Sequence, residues 1–262
     1  MFRALYTAAS GMVSQQTNLD NVANNLANAS TAGFRKRRVQ FQDLMYQNLV
    51  TPGSASTQQT VSAGLQIGLG SRSAATEIIQ AQGDFSQTGN PLDLTIQGSG
   101  FFQVKLPSGQ IGYTRAGAFH LDQQGNVITS DGNPLEPALT IPANATSVTI
   151  GADGTVSVIQ PGQAQSQNVG QIQLAMFANS GGLSSMGNNL FVNTTASGDA
   201  IVGTPGGTEG LGTLQQGVLE QSNVSVVDEF IQMILAQRSY EANSKVVSAA
   251  DQMFQQVNNL AR

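Results

Sequence analysis

Reactive side chains are scarce in this chain of 262 residues. There is one histidine, His120, within the strand-like run Ala118, Phe119, His120, Leu121, and there is no cysteine. A general base needs a partner that poises its pKa, and a nucleophile needs a base within reach. A lone histidine in a strand supplies neither and reads as structural. No G-x-S-x-G elbow occurs, and Gly68 with Gly70 forms G-x-G without the third glycine or the strand-to-helix setting of a dinucleotide site. Asp122, Asp131 and Asp153 fall in turns, where a short carboxylate bonds the local backbone. They lack the spacing of a calcium loop. Asn-x-Ser/Thr triplets at Asn28, Asn144, Asn193 and Asn223 are expected by chance at this composition. Lack of cysteine excludes disulfides and thiolate metal sites. The sequence therefore predicts a non-enzymatic chain with no cofactor and no metal.

The one dense charge cluster is Arg35, Lys36, Arg37 and Arg38, four of the eleven basic residues. It has two readings, a contact with acids on a neighbouring subunit or a solvated helix exit. Net charge is −5, against the basic footprint that nucleic acid requires. Charged residues make up 10% of the chain, where about 25% is usual. Neutral polar groups are easier to bury against a neighbour than ions, which need partners. The deficit fits either a compositional bias or a surface covered by other subunits. No apolar run approaches the roughly 18 residues of a membrane span, so direct membrane insertion is not expected. The N-terminal MFRALYTAASGMVSQQ lacks the continuous apolar core of a cleaved signal.

Five segments organise the chain. Residues 1–33 read as a helix in which Leu5, Met12, Leu19 and Leu26 recur every seven positions, a coiled-coil-like seam. Gly33 stands where a left-handed C-terminal cap is expected. Residues 34–80 read as an extended linker, including the tract TPGSASTQQTVSAG, which has too little apolar content for a core of its own. Residues 81–203 read as a β-rich module of short strands with turn signals at Asp131-Gly132 and Asp153-Gly154. Residues 204–224 read as an extended return segment. Residues 225–262 read as a second helix, opened by Ser225 and Asp228 at capping-box spacing. There Val226, Met233, Tyr240, Val247 and Phe254 recur every seven positions. Ala236, Ala250 and Val257 fall in a second row, which Glu229 and Asn243 interrupt. The fold class is α+β, with the two terminal helices paired as one layer and an all-β module inserted between long extended connections. Asn18, Asn21, Asn24, Asn25 and Asn28 take positions where a solvated helix would carry Glu, Lys or Arg. They predict a neutral face packed against copies of the chain or lining a lumen. The seven-residue rows, with Val257, predict the polymerisation interface.

The string NVANNLANASTAGF at residues 21–34 resembles the N-terminal signature of the rod and hook proteins of the bacterial flagellum. AQRSYEANSK at residues 236–245 and ADQM at 250–253 resemble their C-terminal signature. GFFQV at 100–104 and YTRAGAF at 113–119 are similar to strings of their β module. The length and the stretch at residues 46–70 are most similar to members that build the distal rod, with proximal-rod and hook-type axial proteins as the alternative. The resemblance implies a structural subunit of a rigid hollow helical tube, the drive shaft that carries torque from motor to hook. It implies an inner layer of terminal helices and an outer β layer. The implied location is the basal body, in a rod spanning the periplasm, reached through type III export without a cleaved signal peptide. The implied partners are further copies of the chain, the proximal rod proteins, the hook protein, the rod cap, and the ring bushings of the peptidoglycan and outer membrane. Neither nucleic acid nor membrane is implied.

Overall fold

The computed structural model describes residues 2–50, 55–56, 59–60, 64–162, 165–207 and 210–260. Its chain divides into two compact units. One comprises residues 1–27, 37–78 and 225–262, the other residues 28–36 and 79–224.

The first unit pairs two helices, α1 (Phe2–Ala27) and α2 (Val226–Leu260). Neither contains proline, and α1 has a single glycine, so nothing interrupts the backbone ladder. The first turn of α2 is capped as its spacing predicts. The Asp228 amide donates to Ser225 Oγ at 3.4 Å and the Glu229 amide to the Ser225 carbonyl at 3.0 Å. Asp228 and Glu229 place acids against the positive end of the helix dipole. The pairing is antiparallel: Phe2 meets Phe254, Gly11 abuts Asn243, and Asn25 bonds Glu229.

The segment expected to be an extended linker contains a ribbon that pairs with itself. Strand Arg37–Asp43 runs antiparallel to Ser71–Ile78, and Tyr46–Val50 to Leu65–Gly68. Val39 and Ile78 are buried. Ser10 and Ser14 of α1 seat the ribbon: Ser14 Oγ lies 3.2 Å from Ser71 Oγ, and the Ser71 amide donates to Ser10 Oγ at 3.4 Å. Gly70 is required there, because a Cβ would come within 2.0 Å of Ser10 Oγ. Within the expected linker, residues 51–54, 57–58 and 61–63 lie outside the described residues.

The second unit is β-rich. Its main sheet runs in the order Ser184–Gly187, Leu190–Val192, Ile111–Thr114, Phe101–Lys105, Leu174–Met176, Ile201–Gly203, with Leu135–Glu136 also pairing Phe101–Lys105. A three-stranded sheet joins Ser147–Ile150, Thr155–Ile159 and Gln167–Gln171. Pairing is antiparallel, so one face of each strand turns to a common core. Phe102, Phe119, Leu135, Val156 and Leu174 sit at its centre, fully buried. The return segment does not merely cross back. Thr213–Gln216 pairs with Leu94–Gln97, and Val218–Glu220 with Phe85–Gln87.

The first helix ends at Ala27, earlier than the predicted boundary at residue 33. A turn from the Thr31 amide to the Asn28 carbonyl follows. Gly33 does adopt a left-handed φ of 70°, but not as a helix cap. A Cβ there would meet the Ala116 amide nitrogen at 2.6 Å, so the glycine permits close backbone packing inside the β unit.

Candidate polymerisation site

Both seven-residue rows of α2 face α1 to different depths. Met233, Val247 and Phe254 are half-buried, whereas Val226, Tyr240 and Val257 are exposed. On α1, Leu5, Met12, Leu19 and Leu26 are all half-buried. The most enclosed positions of α2 are Glu229, Ala236 and Ala250, in the very row that Glu229 and Asn243 seemed to break. Small and polar groups, not large apolar ones, thus occupy the middle of the seam. A Cβ on Gly11 would lie 2.9 Å from Asn243 Nδ2, which shows how closely the helices approach. The period of the pattern located the seam. It did not show that the polar breaks were its centre.

Asn25 is buried and does not belong to an outward face. Its Nδ2 donates to the Arg37 carbonyl at 2.9 Å and to Glu229 Oε2 at 3.1 Å, and its Oδ1 accepts from the Arg37 amide at 3.0 Å. Asn21 Nδ2 donates to the same carbonyl at 2.8 Å. These two asparagines therefore fasten α1 to the start of the ribbon and, through Glu229, to α2. Asn18 and Asn28 are half-buried, and Asn24 is exposed.

The basic cluster does not form one patch. Arg38 is exposed and pairs with Glu77 at 2.9 Å, an arrangement that, with Gln40, holds the Glu77 carboxyl below its ordinary range. Lys36 and Arg37 are half-buried. Arg35 is buried in the β unit, with Nη2 2.8 Å from Glu220 Oε1. Glu220 Oε2 is 3.5 Å from Arg115, whose Nη2 donates to the Gly98 carbonyl at 2.6 Å and whose guanidinium stands over the Phe101 ring. Two buried cations thus share one carboxylate. Burial lowers the Arg115 pKa to about 10, the charge of Arg35 adds to the effect, and Glu220 opposes it. Asn223 ties the same region together. Its Oδ1 accepts from the Lys36 amide at 2.7 Å, and its Nδ2 donates to the carbonyls of Ile79 and Ala81. Glu220 belongs to no short motif, and although Arg115 lies in YTRAGAF and Asn223 in an Asn-x-Ser triplet, neither string tells that residues so distant in the chain meet Arg35.

A second omission concerns the outer surface of α2. Val227, Phe230, Ile231, Ile234 and Leu235 are exposed by 68, 49, 50, 55 and 55%. Their spacing of i, i+3, i+4, i+7 and i+8 was legible, but the seven-residue rows took precedence over it. Among the described residues, no helix is long and apolar enough to cross a membrane.

Three family models match the chain. "Flagella basal body rod protein" covers residues 5–35, which include most of α1. "Flagellar hook protein FlgE/F/G D1 domain" covers residues 95–158 of the β unit, and "Flagellar basal body rod FlgEFG protein C-terminal" covers 215–260. The flagellar basal-body rod protein FlgG of Caulobacter vibrioides is 48% identical over 260 residues, 98% of this chain and 99% of that protein. The chain belongs to the FlgG family of flagellar basal-body rod proteins. FlgG of Buchnera aphidicola subsp. Acyrthosiphon pisum is 46% identical over 99% of this chain and its own full length. FlgG of Bacillus subtilis is 41% identical over the full length of both. The flagellar hook-basal body complex protein FlhP of the same organism reaches 27% over 99% of the chain. The matched ends, 5–35 and 215–260, include most of α1 and all of α2, so the family signature and the helix pair coincide.

Proposed function

We propose that the chain is a non-enzymatic structural subunit of the distal rod, polymerising through its terminal helices into a rigid hollow tube that transmits torque from motor to hook. One observation carries the reading. The chain matches FlgG proteins over nearly its whole length, and its two ends form a helix pair that leaves large apolar side chains in water. Monomeric proteins rarely tolerate such surface without a partner. Torque transmission needs contacts that repeat along a helix and never close on themselves, which heterologous interfaces provide. Further copies of the chain are the principal partner. Proximal rod proteins and the hook protein would meet the two ends of the tube, the rod cap its growing end, and the ring bushings of the peptidoglycan and outer membrane its flank. Assembly in the periplasm-spanning basal body follows type III export.

The reading is tested in a strain lacking its own distal rod protein. The chain is expected to restore complete rods and motility. Met12→Asp and Phe254→Asp, each placing a carboxylate in the helix seam, are expected to abolish rods while the β unit stays folded by circular dichroism. Normal-length rods built by both variants would refute the role of the terminal helices.

A further inference from the structure

The apolar surface of the helix pair is divided between its two ends. On α2 the band Val227, Phe230, Ile231, Ile234 and Leu235 occupies the first three turns. One turn further on, the same helix turns charged, with Arg238 and Glu241 exposed and ion-paired at 3.3 Å and Lys245 exposed beyond them. On α1 the open apolar side chains are Phe2, Tyr6 and Val13, at 79, 61 and 64%. Their spacing of four and seven puts them on one face. Because the pair is antiparallel, with Gly11 against Asn243 and Phe2 against Phe254, this stripe lies beside the C-terminal half of α2. At 1.5 Å per residue the centres of band and stripe are about 25 Å apart along the pair.

We propose that the band of one copy receives the stripe of the next, so that the helix pairs associate head to tail. The proposal rests on the reading of the chain as a rod subunit and names the surfaces that reading leaves open. The area favours a second copy as the occupant. The band exposes on the order of 400 Å² of apolar surface, within the range of functional patches. The stripe exposes a similar area. One seating therefore removes on the order of 800 Å² from water, short of the roughly 1,200 Å² of a stable pair. In a polymer each interior copy uses both patches, which doubles the area buried per chain. A copy joining the end of a row gains the same single seating as a free dimer, so isolated copies stay apart and the row holds where the tube supplies further contacts. The contact is heterologous, since band meets stripe and never band, and it propagates without closing. The charged belt at Arg238, Glu241 and Lys245 penalises a slipped seating, because it would strip ions of water without partners.

The chain has no cysteine, so introduced thiols report position. Ile231→Cys with Tyr6→Cys in one chain should give a ladder of linked copies when rods isolated from complemented cells are treated with a short bis-maleimide. Within one copy the two sites are too far apart to bridge. Rods mixed from the two single variants should give dimers only. Rods that form but yield only like-with-like links, or none, overturn the proposal and leave the rod reading standing. If the cysteine chains build no rods, Ile231→Ala, Tyr6→Ala and their combination decide. Two residues in one contact should lose together, so the double variant should lower rod number no more than the worse single variant. A loss equal to the product of the single losses overturns the proposal. Failure of the unmodified chain to build rods would instead refute the rod reading itself.

Discussion

Glu220 carries more of the β unit than its place in a three-residue strand suggests. It is 1% exposed and is the carboxylate shared by Arg35 and Arg115, and the Gly83 amide donates to its Oε1 at 3.0 Å. Its own carbonyl accepts from the Gly33 amide at 2.8 Å. Removing one member of a buried ionic group leaves the others uncompensated, at about 3–5 kcal/mol. Glu220→Gln is therefore expected to lower the thermal midpoint of the β unit well below that of the parent, by differential scanning calorimetry, or to prevent its folding. An unchanged midpoint would mean that the two guanidinium groups find other counter-charges. The turn acids act more weakly and in acid only. Asp122 is held below its ordinary 3.8, first by the Asn126 side chain at 3.0 Å and then by the Asn126 amide at 2.8 Å. The folded pKa lies below the unfolded one, so the contribution is complete above about pH 4 and is lost as pH falls through the folded value. NMR titration should show the Gln124 and Asn126 amides shifting with a midpoint below 3.8. A midpoint at or above that value would remove the proposed bonds.

At the scale of elements, the helix seam depends on thinness. Gly11 and Asn243 meet so closely that any side chain on residue 11 must displace the amide. Gly11→Ala gains about 1 kcal/mol of helix propensity and loses about 1–3 kcal/mol to overpacking. Asn243→Ala removes the obstruction. The double variant is expected to be more stable than Gly11→Ala by more than Asn243→Ala alone gains over the parent, a favourable coupling of about 1 kcal/mol in a denaturant cycle. Additive effects would show that the helices do not touch there. The ribbon teaches the complementary lesson. Its segment looked like linker because in the central tract, residues 51–64, Gln, Ser and Thr outnumber apolar groups, yet antiparallel pairing of the flanking strands satisfies backbone groups whatever that tract contains. Asn21 and Asn25 then engage the peptide groups of Arg37 at its start.

At the scale of the whole molecule, charge is 10% of residues, and the band on α2 and the stripe on α1 that would meet between copies are apolar. Assembly driven by such surfaces should be nearly indifferent to screening. Raising sodium chloride from about 0.05 to 0.5 M is expected to change the critical concentration for polymerisation less than about twofold, and sulfate should lower it. A steep loss of assembly with sodium chloride, followed by light scattering, would point to ion pairs as the main adhesive.

The amino-acid sequence by itself determined that both ends are helices with a shared seam, that a β unit lies between them, and that the chain belongs among flagellar rod and hook proteins. Period and motif are local properties, so they survive without coordinates. Only the tertiary structure decided which partner each polar group takes. It put Asn25 against Glu229 across 204 positions of chain, and Arg35 with Arg115 around Glu220. It also turned Phe230 and Ile234 to solvent. A seven-residue period names the faces of a helix, but only packing decides which face is covered within the chain and which is left for another copy.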